Sequence, residues 1–79
     1  MKEFTIMPKT EFGKWLYNQM KARNYSCGMV ARMLRTTRQA INNHVIGKVK
    51  PSYVWVMAYC QIFNDDPNKV WTMIENEEL

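Results

Sequence analysis

The sequence predicts an all-α fold, a compact bundle of about five short helices. Three observations carry that expectation. Apolar residues recur at helical spacing in five separate segments. A Thr, Ser or Asp stands at the start of each, where a side-chain oxygen can accept from backbone amides that have no partner within the helix. A chain of 79 residues also allows one domain, with a core that buries roughly 60% of the unfolded surface. The apolar fraction of 47% is too high for a disordered chain, and three Trp, four Tyr and three Phe supply bulk to a small core.

The elements follow in chain order. Phe4 and Ile6 alternate with polar neighbours, which fits a short strand or arm over 1–9 that Pro8 ends. Thr10 is the expected N-cap of a first helix over 11–23, with Glu11 in its first turn and Phe12, Trp15, Leu16, Gln19 and Met20 at helical spacing. Asn24 suits a left-handed stop. Ser26 caps a second helix over about 27–34, with Val30, Ala31, Met33 and Leu34 on its apolar side. Arg35 and Thr36 make a tight turn, and Thr37 caps a third helix over 38–46 that Gly47 stops. Pro51 and Ser52 open a fourth helix with an apolar face of Val56, Met57, Tyr59, Cys60 and Phe63. Asp66 caps a last helix with Pro67 at its first position and Val70, Trp71, Met73 and Ile74 on its apolar side.

Several function classes are disfavoured by composition. The chain has one histidine, and its two cysteines, Cys27 and Cys60, are too far apart for the paired spacing of a zinc site. No metal and no cofactor is expected, nor a glycine-rich phosphate loop, so catalysis is the weakest reading. No apolar run approaches the ~18–20 residues that cross a bilayer. The first residues do not read as an export signal. The expectation is a cytoplasmic protein with two packed thiols and no membrane partner.

Charge is segregated along the chain. Between Phe12 and Asn64 stand Lys14, Lys21, Arg23, Arg32, Arg35, Arg38, Lys48 and Lys50, with no Asp or Glu among them. The acids lie outside: Glu3, Glu11, Asp65, Asp66, Glu75, Glu77 and Glu78. A long acid-free basic stretch is the electrostatic footprint of a polyanion partner. Within it, two short helices joined by about three residues form a helix-turn-helix pattern, in which the second helix enters the DNA major groove. On that third helix Ala40, Ile41, His44 and Val45 face the body of the domain. Arg38, Gln39, Asn42 and Asn43 face outward. Arg can bridge guanine O6 and N7, and Gln or Asn can bridge adenine N6 and N7.

The run from Ser26 through Ile41 and on through Gly47, Lys48, Pro51 and Ser52 resembles the Cro/CI/Xre-type helix-turn-helix family of phage repressors and related bacterial regulators. Val30-Ala31, Thr37, Ile41, Gly47-Lys48 and Pro51-Ser52 match the family pattern without a gap, and the likeness covers about residues 11–71. The resemblance implies a lambda-repressor-like DNA-binding domain over 10–74, followed by an acidic tail over 75–79. It implies base contacts from Arg38, Gln39 and Asn43, with Asn42 beside them. It implies phosphate contacts from Thr37, Lys48 and Lys50, and it leaves Arg35 near the DNA. Its members generally bind operators as dimers. The apolar surplus of Val70, Trp71 and Ile74 marks the last helix as the expected dimer surface, with the N-terminal arm as the alternative.

The chain departs from the family at four places. Cys27 replaces a phosphate-bonding Gln. Arg35 replaces a turn Gly and must either bear about 1 kcal/mol of backbone strain or reshape the turn. Val45-Ile46 replaces Glu-Asn. His44 stands at an apolar position, where it is expected to pack and to bond through one ring nitrogen. The function implied is a Cro-like transcriptional regulator that blocks polymerase by occupying an operator in double-stranded DNA. The alternative is a protein-binding module, an antirepressor or antitoxin that keeps the same fold.

Overall fold

The computed structural model describes residues 8–77. Among the described residues there are five α-helices and no strands: α1 (Glu11–Arg23), α2 (Cys27–Leu34), α3 (Arg38–Ile46), α4 (Tyr53–Phe63) and α5 (Pro67–Glu77). The expected arm over 1–9 lies outside the described residues apart from Pro8 and Lys9. Glu75 and Asn76, expected to open the acidic tail, instead continue α5 through Glu77.

Side-chain caps start four of the helices. Thr10 Oγ1 accepts from the Gly13 amide at 2.9 Å, Ser26 Oγ from Met29 at 3.2 Å and Thr37 Oγ1 from Ala40 at 3.1 Å. Asp66 Oδ1 accepts from the Asn68 amide at 3.0 Å at the head of α5. Ser52 has the extended backbone of an N-cap but makes no side-chain cap bond. At their other ends α1, α2, α3 and α4 stop in left-handed backbone, at Asn24 (φ 61°), Arg35 (φ 56°), Gly47 (φ 84°) and Asn64 (φ 58°). Arg35 therefore accepts the left-handed turn instead of reshaping it, at a cost of about 1 kcal/mol relative to glycine.

The core is drawn from all five helices: Phe12, Trp15, Leu16 and Met20 from α1, Cys27, Val30 and Ala31 from α2, Ile41 and Val45 from α3, Val56, Tyr59, Cys60 and Phe63 from α4, and Val70 and Ile74 from α5. Gly13 lets α1 come against α3, because a Cβ there would strike the Val45 carbonyl oxygen. Polar ties fix the ends of α1. The Trp15 indole donates to Asp65 Oδ2 at 2.9 Å, and Arg23 donates to the Phe63 carbonyl at 2.9 Å while its guanidinium lies over the Phe63 ring.

Three of the sequence-expected apolar faces need correction. Met57 and Met33 point outward. Each flanks the apolar stripe of its helix, and the inward place on α4 goes to the half-buried Trp55. Val70 and Ile74, expected on a dimer surface, are buried in the chain's own core because α5 turns them onto it. Trp71 packs half-buried against the core, with its ring edge-on to Tyr53 at 5.4 Å.

Candidate nucleic-acid interface

α2 and α3 are joined by Arg35, Thr36 and Thr37. The turn is closed by backbone bonds from Thr36 N to Ala31 O at 2.9 Å and from Arg35 N to Arg32 O at 3.3 Å. Buried Ile41, His44 and Val45 seat α3 on the body of the domain. That seating leaves Arg38 and Gln39 exposed and Asn42 and Asn43 half-exposed.

These side chains do not stand alone. Arg38, Gln39 and Asn42 share one depression with Ser26, Cys27 and Gly28 from the head of α2. A Cβ built on Gly28 would come 3.9 Å from Arg38 Cδ, so the Arg38 stem runs along the first turn of α2. The positive ends of two helix dipoles thus open onto the same place, and that favours an anion there. Gln39 Nε2 donates to Asn43 Oδ1 at 3.1 Å, and this bond couples two neighbouring amides one turn apart. Sequence reasoning missed Ser26 and Gly28 as neighbours of Arg38. Ser26 was legible only as a cap, and adjacency of two helix starts is a tertiary fact.

The expected phosphate contacts lie on two sides of this patch. Thr37 is exposed, and its hydroxyl oxygen is used in capping α3, which leaves its hydrogen to donate. Arg35 is exposed at the turn. Lys48 and Lys50 are exposed beyond the far end of α3, where the amides of Lys48 and Val49 both donate to the Asn43 carbonyl, at 3.0 and 3.3 Å. Arg38 and Gly47 are nine residues apart, roughly 14 Å along the helix.

The basic residues divide by role. Lys14 pairs with Glu11 at 3.7 Å, Lys21 lies over the Tyr17 ring at 5.7 Å, and Arg23 is held by Gln19 and Phe63. Among the described residues, Arg32, Arg35, Arg38 and Lys48 make no ion pair. The first acid after the basic stretch, Asp65, faces Trp15 and Lys69. The Trp15 indole and the Asp66 amide hold its carboxyl below the usual range.

His44 is buried, as a packing residue. Its Nδ1 lies 2.7 Å from the Tyr59 hydroxyl, and its ring is edge-on to Trp55 and Tyr59. Burial lowers its pKa, so the neutral imidazole is the form that fits. Cys27 and Cys60 are both buried thiols, and burial followed by Asp65 and Asp66 pushes the Cys60 thiol up to about 11. Among the described residues no group of three His, Cys, Asp or Glu is placed to hold a metal ion, and no helix is long and apolar enough to cross a membrane.

No family model matches the chain, and no curated protein or solved structure matches it either.

Proposed function

We propose that the chain is a sequence-specific DNA-binding transcriptional regulator of the Cro/CI/Xre helix-turn-helix kind, a phage or prophage repressor that occupies an operator through α3. The observation that carries this reading is the outward face of α3. Arg38, Gln39, Asn42 and Asn43 stand together at its first two turns, beside the head of α2, inside a stretch with no acid from Phe12 to Asn64. Base-edge chemistry needs forked donors and amides at that end of a groove-lying helix. Arg35, Thr37, Lys48 and Lys50 supply phosphate contacts on either side, which set register without reading sequence.

The direct experiment is selection of bound duplexes from a random pool, followed by titration of the winner across salt. A consensus should emerge. If a dimer contacts about six phosphates, log K should fall with log salt at a slope of roughly −5. No consensus together with a slope near zero overturns the reading.

A second reading, a protein-binding module such as an antirepressor or antitoxin, draws on α2. Met29 and Met33 are 44% and 42% exposed at i,i+4 spacing, and methionine stripes adapt to protein partners. A gel shift on the promoter region beside the protein's own coding sequence separates the two.

A further inference from the structure

We infer that Asn43 is a positioning residue that holds the Gln39 side-chain amide in the orientation that reads adenine, so that the operator carries an adenine opposite Gln39. This inference rests on the DNA reading of α3 and names the base at one of its positions. The geometry behind it is one amide-to-amide bond. Gln39 Nε2 donates to Asn43 Oδ1 at 3.1 Å. Gln39 is exposed, and Asn43, one turn further along α3, is half-exposed. Side chains on a helix lean toward its N-terminus, so the shorter Asn43 reaches back over the turn that carries Gln39. The Asn43 backbone is itself anchored, because its carbonyl accepts the amides of Lys48 and Val49 where α3 stops. Asn43 is not among the buried residues that seat α3.

The bond decides what Gln39 can offer to a base. A free glutamine amide can turn over, exchanging its oxygen for its NH2 group, and so can meet either a donor or an acceptor. With Nε2 bound to Asn43 Oδ1, turning Gln39 over would set its oxygen against the Asn43 oxygen. What remains on Gln39 is Oε1 and the second Nε2 hydrogen, an acceptor beside a donor. Adenine is the base whose major-groove edge offers the complement, a donor at N6 beside an acceptor at N7. Guanine offers two acceptors, O6 and N7, which suit the neighbouring Arg38, whose guanidinium only donates. The charge of the holding group matters too. No acid stands on α2 or α3, and an amide oxygen fixes Gln39 without adding a negative charge that phosphates would repel.

The test uses the full chain, first on duplexes selected from a random pool and then on the selected duplex with each base in turn at the Gln39 position. That position is the one whose preference Gln39→Ala abolishes. The native chain should prefer adenine there by about fivefold or more. Asn43→Ala should lower that preference to below about twofold. Asn43→Asp, whose carboxylate can only accept, should keep the adenine preference while binding every duplex more weakly. With Gln39 already replaced by alanine, Asn43→Ala should change no preference at that position, since Asn43 acts through Gln39. NMR of the free chain should show one Gln39 amide hydrogen exchanging with water more slowly in the native chain and in Asn43→Asp than in Asn43→Ala. Five outcomes overturn the proposal and leave the DNA reading standing: a base other than adenine opposite Gln39, a preference that Asn43→Ala leaves intact, its loss in Asn43→Asp, an effect of Asn43→Ala that persists without Gln39, or a Gln39 amide that exchanges alike in the native chain and Asn43→Ala. A native chain that selects no consensus overturns both.

Discussion

His44 and Tyr59 complete each other inside the core. The His44 Nδ1 and the Tyr59 hydroxyl lie 2.7 Å apart, and the contact ties the candidate recognition helix α3 to α4. No buried side-chain polar atom is left without a partner among the described residues. Burial holds the Tyr59 phenol far above its ordinary pKa and the His44 imidazole below its own. The phenol stays protonated and the imidazole neutral, and the tautomer of His44 sets which of the two donates. His44→Leu should strand the phenol hydroxyl and cost about 1–3 kcal/mol. Tyr59→Phe should strand the imidazole nitrogen at a similar cost. The double variant should lose less than the sum, because neither partner is then left alone. Urea unfolding of the four proteins checks this, and additive losses would mean the bond contributes nothing.

The same pair sets a pH dependence. The folded pKa of His44 is lowered from an ordinary 6.5. Its contribution is therefore fully present above the unfolded value, shrinks as pH drops below about 6.5, and is gone once pH has fallen through the lower folded value. Unfolding midpoints of the native chain should fall across that window. In His44→Leu the fall there should disappear, and an unchanged profile would place the titration elsewhere.

Asp65 acts further into acid. Its carboxylate accepts from the Trp15 indole at 2.9 Å and from the Asp66 amide at 2.7 Å, and both lower its pKa. A lowered carboxyl contributes stability above its unfolded value of 3.8, and that stability is lost as pH falls through the folded value. Asp65→Asn should be less stable than the native chain at neutral pH, with the gap closing in strong acid. A gap that is constant from neutral pH to strong acid would assign the loss to shape alone.

Gly13 lets the backbones of α1 and α3 come close at Val45. The Cβ of Gly13→Ala would meet the Val45 carbonyl oxygen, a backbone atom that cannot swing aside. Helix propensity favours alanine by about 1 kcal/mol, yet overpacking costs about 1–3 kcal/mol. Destabilisation should win, and a raised melting temperature for Gly13→Ala would show that α1 can shift away from α3.

How far the sequence shows the fold varies by element. Helix starts are legible at Thr10, Ser26 and Thr37 because capping is local chemistry, and helix limits of 11–23, 27–34 and 38–46 agree with the structure. Asn64 carries the same left-handed signal as Asn24, two residues before the Asp66 cap, and the structure ends α4 there. Met33, Met57, Val70 and Ile74 are a different matter. An apolar residue at the edge of a stripe fits a core, an interface or an exposed flank equally well, and only the packing of neighbouring helices decides. On α3 the outward residues are legible because buried Ile41, His44 and Val45 leave one side for them. Their closeness to Ser26 and Gly28 is not, since it depends on how α2 lies against α3.

Arg35 separates stability from binding at one position. Its left-handed backbone costs about 1 kcal/mol, which Arg35→Gly should recover as a higher urea midpoint. The same change removes a cation beside the proposed DNA path, so the salt slope of binding should flatten by about one per subunit. A variant that is more stable and binds unchanged would show that Arg35 serves neither phosphate nor fold.

Arg38 and Lys48 should fail in different ways. Arg38 is the first residue of α3, exposed, with its stem along the head of α2. In the proposed DNA complex its planar fork lies at the leading end of α3, where it can make two bonds to one guanine edge. Lys48 follows Gly47, where the chain turns away and its amide is spent on the Asn43 carbonyl at 3.0 Å. In the proposed complex a lysine there meets phosphate, which looks alike at every step of the duplex. Arg38→Ala should cost roughly 1–3 kcal/mol per half-site on the selected duplex and little on a scrambled one. Lys48→Ala should weaken both by the same factor and lower the salt slope by about one per subunit. Paired titrations of each variant on both duplexes at fixed salt make the comparison. Equal losses for Arg38→Ala on the two duplexes would make it a backbone contact, and α3 would then lie across the groove instead of in it.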